Sequence, residues 1–302
     1  MKSNTREDYL DRICRVLRFV QENLDEDLSP AILSDIANLS VFHFHRVFSG
    51  LVGESLAEHV RRLRLERAAG ELCRTNRRVI DVALAAGYGA HEPFTRAFRA
   101  HFGMPPSAWR EAGEPLVFPP VLCGVHYGPD EAVSHFVALE EDTKMIEVHI
   151  ETVPARRLLA LSHTGSYLDV GKTFERLMTA AGSRGLLGPD SKAIGIYYDD
   201  PETKPTAELR SHACVTVPAS ENEPPPGFEW LDLPGGEIAF GLHKGPYDQL
   251  VHSYRWLFSQ WLPSSGREAA DRPCYETYLN DARTTPPGDL MTQISIPLVA
   301  RS

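Results

Sequence analysis

The chain has 302 residues, enough for two domains with separate cores. Its five cysteines (Cys14, Cys73, Cys123, Cys214, Cys274) lie far apart with no CxxC pair, which excludes a cysteine-pair zinc site or redox dithiol and predicts reduced thiols in a cytoplasmic protein. The net charge of −10 argues against nucleic acid only as an average, because residues 1–118 carry 16 Lys and Arg against 16 Asp and Glu, while residues 119–302 carry 15 against 25.

Within the balanced part, residues 46–110 hold 11 arginines and 6 acids. A basic segment beside an acidic one predicts a polyanion-binding half joined to a half with another task. MKSNTREDYLDRI has no apolar core of an export signal, and no stretch approaches the roughly 20 apolar residues of a membrane span.

Leu10, Ile13, Leu17, Val20 and Leu24 recur at helical spacing and predict a first amphipathic helix. Ser29-Pro30 then predicts an N-cap followed by proline at the first position of a short helix to about Ala37. Asn38-Leu39 forms a tight turn, Ser40 caps a further helix, and Gly53 ends it. This is a helix-turn-helix pattern. It recurs: Phe44, Arg46, Phe48 and Gly53 have identical counterparts fifty positions later at Phe94, Arg96, Phe98 and Gly103, and the turn residue Asn38 pairs with Gly87. Between the copies, Ser55 to about Arg74 has no proline and predicts one helix roughly 30 Å long. Two units held about one DNA turn apart can place recognition helices in successive major grooves.

Residues 8–112 resemble the AraC/XylS-type DNA-binding domain, and GYGAHEPFTRAFRAHFGMPPSAWR resembles its signature through Trp109-Arg110. Pro93 departs from the polar residue common at that place and fits a first helical turn.

At 100° per residue, Val41, Phe44, Val47, Phe48 and Leu51 share the core side of the first recognition helix. Phe42, His43, Arg46 and Ser49 lie opposite, with His45 on one flank. His43 and His45 are about 200° apart, which argues against a shared metal. In the second recognition helix Phe94, Ala97, Phe98 and His101 turn inward, and Glu92, Thr95, Arg96 and Arg99 outward. Arg46 and Arg96 are candidates for bidentate contacts to guanine edges. Arg61, Arg62, Arg64, Arg77 and Arg78 are candidates for phosphate contacts or plain surface. The expected partner is double-stranded DNA.

Residues 113–145, rich in Pro and Gly and then acidic, predict a linker packed partly against one domain. From 146 onward strands and helices alternate, and a second repeat appears at an offset near 80: His163, Gly165 and Tyr167 correspond to His243, Gly245 and Tyr247, Phe174 to Tyr254, and IYYDDP (196–201) to TYLNDA (277–282). Two β-α-β-β units related by a pseudo-twofold follow, with strands in one or two antiparallel sheets. The paired histidines are expected in turns or core.

This duplicated unit, with PCYETYLND near its end, resembles the GyrI-like small-molecule-binding domain over roughly 146–299. The resemblance implies an aromatic pocket whose carboxylate, here Glu276, accepts lipophilic cations. Strand alternation places Cys274, Glu276 and Tyr278 on one face. Candidate walls are Tyr167, Tyr197, Trp230, Phe240, Tyr247 and Trp256, whose ring faces attract a cation.

The expected architecture is therefore multidomain: an all-α domain (1–112) of two helix-turn-helix units joined by a long helix, a linker (113–145), and an α+β GyrI-like domain (146–302). Its expected function is effector-responsive transcription regulation in the cytoplasm, without enzymatic activity or cofactor. The domain order resembles that of Rob-type regulators, which implies RNA polymerase as a partner. The alternative is a GyrI-like hydrolase, or a sequestering protein tethered to DNA, with Glu276 and Tyr278 or Tyr247 activating a water.

Overall fold

The computed structural model describes residues 5–113, 117–128, 132–139, 146–201, 204–217 and 223–301. They form two compact units: one holds residues 7–38 and the described residues of 48–139, the other residues 5–6 and 39–47 with those from 146 onward.

The first unit is helical. Helix α1 (Thr5–Glu22) buries Ile13, Leu17 and Val20 as their spacing predicts, with Tyr9 and Val16 added. Helix α2 (Pro30–Ala37) begins at proline as expected, but the Ser29 side chain makes no capping bond. Helix α3 (Val41–Val52) follows the Asn38 turn. Helix α4 (Leu56–Arg74) has a complete capping box, Ser55 with Glu58, which satisfies two end donors. Helices α5 (Val79–Ala85), α6 (His91–Phe102) and α7 (Pro106–Ala112) complete the set. Asn38 and Gly87, matched in the repeat, both take the left-handed conformation, with φ of 50° and 83°. Each turn can therefore reverse within a few residues.

The second helix-turn-helix unit has its own core, in which Leu65, Ala69 and Leu72 of α4 meet Val82, Ala83, Phe94 and Phe98. Each fully buried Leu, Val or Phe side chain among them contributes about 1.5–3 kcal/mol. A polar network fastens the segment after α7 to α4. Arg62 donates to Glu66 (3.0 Å) and to the Val125 carbonyl (2.8 Å), and Glu66 accepts from the Tyr127 amide (2.7 Å). Arg62 is thus buried and paired with Glu54 and Glu66, which corrects its reading as a phosphate contact or plain surface.

The second unit is built on one eight-stranded antiparallel sheet. Its strands are β1 (Val148–Val153), β2 (Arg156–Thr164), β3 (Ala193–Tyr197), β4 (Arg210–Thr216), β5 (Glu229–Leu233), β6 (Gly236–Lys244), β7 (Cys274–Tyr278) and β8 (Met291–Pro297). Their order is β1-β6-β8-β7-β3-β4-β2-β5. Exchanging the two repeats maps this order onto itself, with β3 and β7 in the centre and each outermost strand, β1 or β5, paired to the other repeat. The repeat is therefore β-β-α-β-β. The expected β-α-β-β unit thus lacks the strand that opens each repeat, β1 or β5. Helix α8 (Val170–Ser183) lies on the face carrying Leu159, Leu161, Ala213 and Val215, and α9 (Leu250–Trp256), extended by a π-turn over Leu257–Trp261, is its counterpart. His163 and His243 brace equivalent corners, bonding Thr173 Oγ1 (3.0 Å) and Ser253 Oγ (2.8 Å), which supports their structural reading. Among the described residues no helix is long and apolar enough to cross a membrane.

Candidate functional site

Glu276 lies on the central strand β7 and is buried, at 5% exposure. Its register partner across β3 is Gly195, which leaves open the space that tyrosines fill. Tyr278 donates to Glu276 Oε2 (2.9 Å) and Tyr254 to Oε1 (3.1 Å), while the Tyr197 and Tyr278 hydroxyls lie 2.5 Å apart. With Tyr278 donating to the carboxylate, Tyr197 donates to Tyr278, so the hydroxyls form a chain ending on Glu276. Tyr167 packs edge-on against Tyr197 at 4.7 Å, and Phe174 and Tyr247 against Tyr278 at 5.4 and 5.5 Å.

Burial pushes the Glu276 carboxyl up to about 7, against the opposing pull of the bonds from Tyr278 and Tyr254 and of the Arg46 charge. Burial, and then the Glu276 charge, hold Tyr197 and Tyr254 well above the ordinary phenol value. They remain protonated donors near neutrality. The cluster thus presents one titratable carboxylate framed by aromatic rings, an environment suited to an organic cation.

Three of the six expected wall residues converge here, Tyr167, Tyr197 and Tyr247, together with Tyr278, expected on the Glu276 face. Three do not. Trp230 on β5 is four strands from β7, roughly 19 Å at ordinary strand spacing, and carries Arg157 over its ring. Phe240 on β6 belongs to the opposite face of the sheet, with Tyr275 and Ile196. Trp256 is buried on α9, two residues past Tyr254 and about 200° around the helix from it. The sequence reading also missed Tyr254, although its match with Phe174 at an offset of 80 carried the signal: Phe174 packs against Tyr278, and Tyr254 bonds Glu276.

On α6, Glu92, Arg96 and Arg99 are exposed and Thr95 partly so, on the outward face their spacing predicts. Helix α3 differs. Phe44, Val47, Phe48 and Leu51 are buried as expected, but Val41 at the helix start is 43% exposed, and His43 is buried. His43 stacks on Phe258 (5.3 Å between ring centres, 24° between planes), and its Nε2 donates to the Ala270 carbonyl at 3.1 Å. Its Nδ1 then accepts from the Cys274 thiol at 3.9 Å. Burial, then the neighbouring Arg46 charge, hold this imidazole neutral, down to about 4. The Arg46 guanidinium lies 4.7 Å from the Tyr254 ring centre and 5.8 Å from that of Phe258. Phe42, His45 and Ser49 are partly exposed. The expectation of an open His43 and Arg46 face is thus corrected: the helix wheel locates the apolar stripe of α3 but not what covers its other side.

Among the described residues one group of metal-ligand type converges, Glu54, His59 and Cys123, with ligand atoms within 4.8 Å. Arg62 already fills it, 2.6 Å from Glu54 and 3.1 Å from His59 Nδ1. A metal ion would have to compete with that guanidinium for the same carboxylate.

Residues 146–299 match the GyrI-like small molecule binding domain family, and residues 33–112 match a helix-turn-helix domain family. The transcriptional regulator Rob of Salmonella typhimurium (strain LT2) is 31% identical over 286 residues, covering 85% of this chain and 92% of Rob. A DNA gyrase inhibitor of Edwardsiella piscicida is 30% identical over 158 residues, 51% of this chain and 98% of that protein. The HTH-type transcriptional regulator YbfP of Bacillus subtilis (strain 168) is 36% identical over 102 residues, 34% of this chain, and the chain spans only 35% of its length.

Proposed function

The chain belongs to the AraC-type helix-turn-helix transcription regulators that carry a GyrI-like small-molecule-binding domain, and from that premise we propose that it binds specific double-stranded DNA and responds to a lipophilic organic cation. The observation that carries the effector reading is Glu276, buried among aromatic rings and bonded on both oxygens by Tyr254 and Tyr278. A cation neutralises the carboxylate, and the surrounding faces of Tyr167, Tyr247 and Tyr278 add cation–π attraction and apolar contact. The acidic composition of residues 119–302 also favours positively charged ligands.

DNA is read by α3 and α6. Arg96 approaches guanine edges, and Arg99, Glu92 and Thr95 complete the α6 surface; on α3 Phe42, His45 and Ser49 are partly exposed, and His43 and Arg46 join them only once their contacts with Phe258 and Tyr254 are broken. By the family's manner of action the further partner is RNA polymerase, and the site of action the cytoplasm. The domain limits we propose are 1–112 for DNA binding, 113–145 for the linker and 146–302 for effector binding.

Sensing rather than turnover is favoured because the chain aligns over most of its length with a transcriptional regulator, 85% of this chain and 92% of Rob. The test pairs two measurements. Footprinting on genomic fragments at two salt concentrations is expected to reveal a specific site that Arg96→Ala weakens. Thermal shift with tetraphenylphosphonium is expected to stabilise the wild type and not Glu276→Gln. Equal shifts in both proteins would remove the carboxylate from the effector site, and turnover of a bound compound would favour the hydrolase.

A further inference from the structure

Three residues spaced three apart on one face of α3 and its cap engage the effector-domain residues. Ser40 Oγ donates to Asp271 Oδ1 at 2.7 Å, His43 donates to the Ala270 carbonyl and stacks on Phe258, and Arg46 lies over Tyr254 and Phe258. Tyr254 links this face to the pocket, since its ring carries the Arg46 guanidinium while its hydroxyl bonds Glu276. A delocalised monocation on an aromatic face beside a carboxylate is the arrangement proposed above for the effector.

We propose that Arg46 is a built-in occupant of the Glu276 pocket, so that an organic cation entering the pocket displaces it and frees the His43 and Arg46 face of α3. This rests on the reading of Glu276 as the effector carboxylate. Two monocations within one buried cluster repel strongly, so the two occupants exclude each other. Exclusion gives the effector the differential affinity that a switch requires, because it binds well only when Arg46 has left. Arg96, the counterpart of Arg46 at an offset of fifty, is exposed, so the device acts on the first recognition helix and leaves the second available. Groove contact and pocket occupancy are thus alternative uses of one side chain.

The test uses the full chain and tetraphenylphosphonium as the probe cation. Calorimetric titration is expected to show Arg46→Met binding the probe about ten-fold more tightly than wild type, because a competitor is gone. Unchanged or weaker binding by Arg46→Met, with binding lost in Glu276→Gln, overturns the built-in occupant and leaves the pocket reading standing. No binding by any form, wild type included, overturns both. Phenylglyoxal labelling of the wild type, mapped by mass spectrometry, supplies a readout free of substitution. Arg46 is expected to react more slowly than Arg96 and to speed up when the probe is added. Equal rates at Arg46 and Arg96 without the probe overturn the proposal.

Discussion

Gly195 and Glu276 face each other across the β3–β7 pair, and they are also equivalent positions of the two repeats. The pseudo-twofold axis therefore passes between them. A glutamate at both positions would set two buried carboxylates side by side, where they could not both ionise. The duplicated fold instead keeps one carboxylate and uses the empty place opposite for tyrosine rings contributed by both repeats, Tyr197 and Tyr278.

A methyl group at Gly195 would fall 2.7 Å from the Tyr197 ring and 2.8 Å from the Tyr278 hydroxyl. Gly195→Ala is expected to cost about 1–3 kcal/mol from overpacking and to weaken cation binding by parting the two hydroxyls. Urea unfolding and calorimetry measure the two effects. Stability and binding equal to wild type would show that the cluster tolerates the methyl.

The Glu276 carboxyl gives stability a definite slope with pH. Its pKa in the folded chain is about 7, above the ordinary 4.5, chiefly through burial. The folded state therefore keeps a proton that the unfolded chain releases, and this contribution is full below 4.5 and lost as pH rises through about 7. His43, lowered from 6.5 to about 4 by burial and Arg46, runs the other way and loses stability as pH falls through that range. Glu276→Gln removes only the Glu276 contribution. Its stability relative to wild type is expected to rise between pH 5 and pH 8, by up to roughly 3 kcal/mol. Urea melts at both values check this, and a constant difference would contradict it.

Glu66 is buried, accepts from Arg62 and the Tyr127 amide, and lies 3.0 Å from His126 Nδ1. Glu66→Ala leaves the Tyr127 amide without its acceptor and Arg62 with only Glu54 and the Val125 carbonyl. A loss of about 1–3 kcal/mol in the helical unit is expected, read as loss of helical circular dichroism in urea. A loss under 1 kcal/mol would mean that solvent replaces Glu66 at little cost.

The paired turn residues predict responses of different size to substitution. Gly87→Ala is expected to destabilise by about 1–2 kcal/mol, since its φ is 83° and a Cβ would lie 3.1 Å from the Arg64 guanidinium. Asn38→Gly, at a φ of 50°, is expected to change stability by only a few tenths. Thermal unfolding of both proteins makes the comparison, and equal losses would show that the left-handed conformation does not set the cost at these turns.

Much of this protein is written locally. Ile13, Leu17 and Val20 mark the buried side of α1 by spacing alone, the Ser55 box starts α4, and the repeated Asn38 and Gly87 positions set the two turns. Period-two alternation likewise places Glu276 and Tyr278 on one face of β7, where the structure joins them by a hydrogen bond. These features are settled within one or two turns of chain, so neighbouring residues suffice to specify them. Trp230, Phe240 and Trp256 show what escapes such reading: each is aromatic and near a strand or helix that could line the pocket, but distance and face depend on strand order and on the exchange of β1 and β5 between repeats. The fate of α3 makes the same point. The sequence determined which side of that helix is apolar, whereas only the tertiary structure decided that His43 and Arg46 on its other side would meet Phe258 and Tyr254, because burial depends on partners more than two hundred residues away.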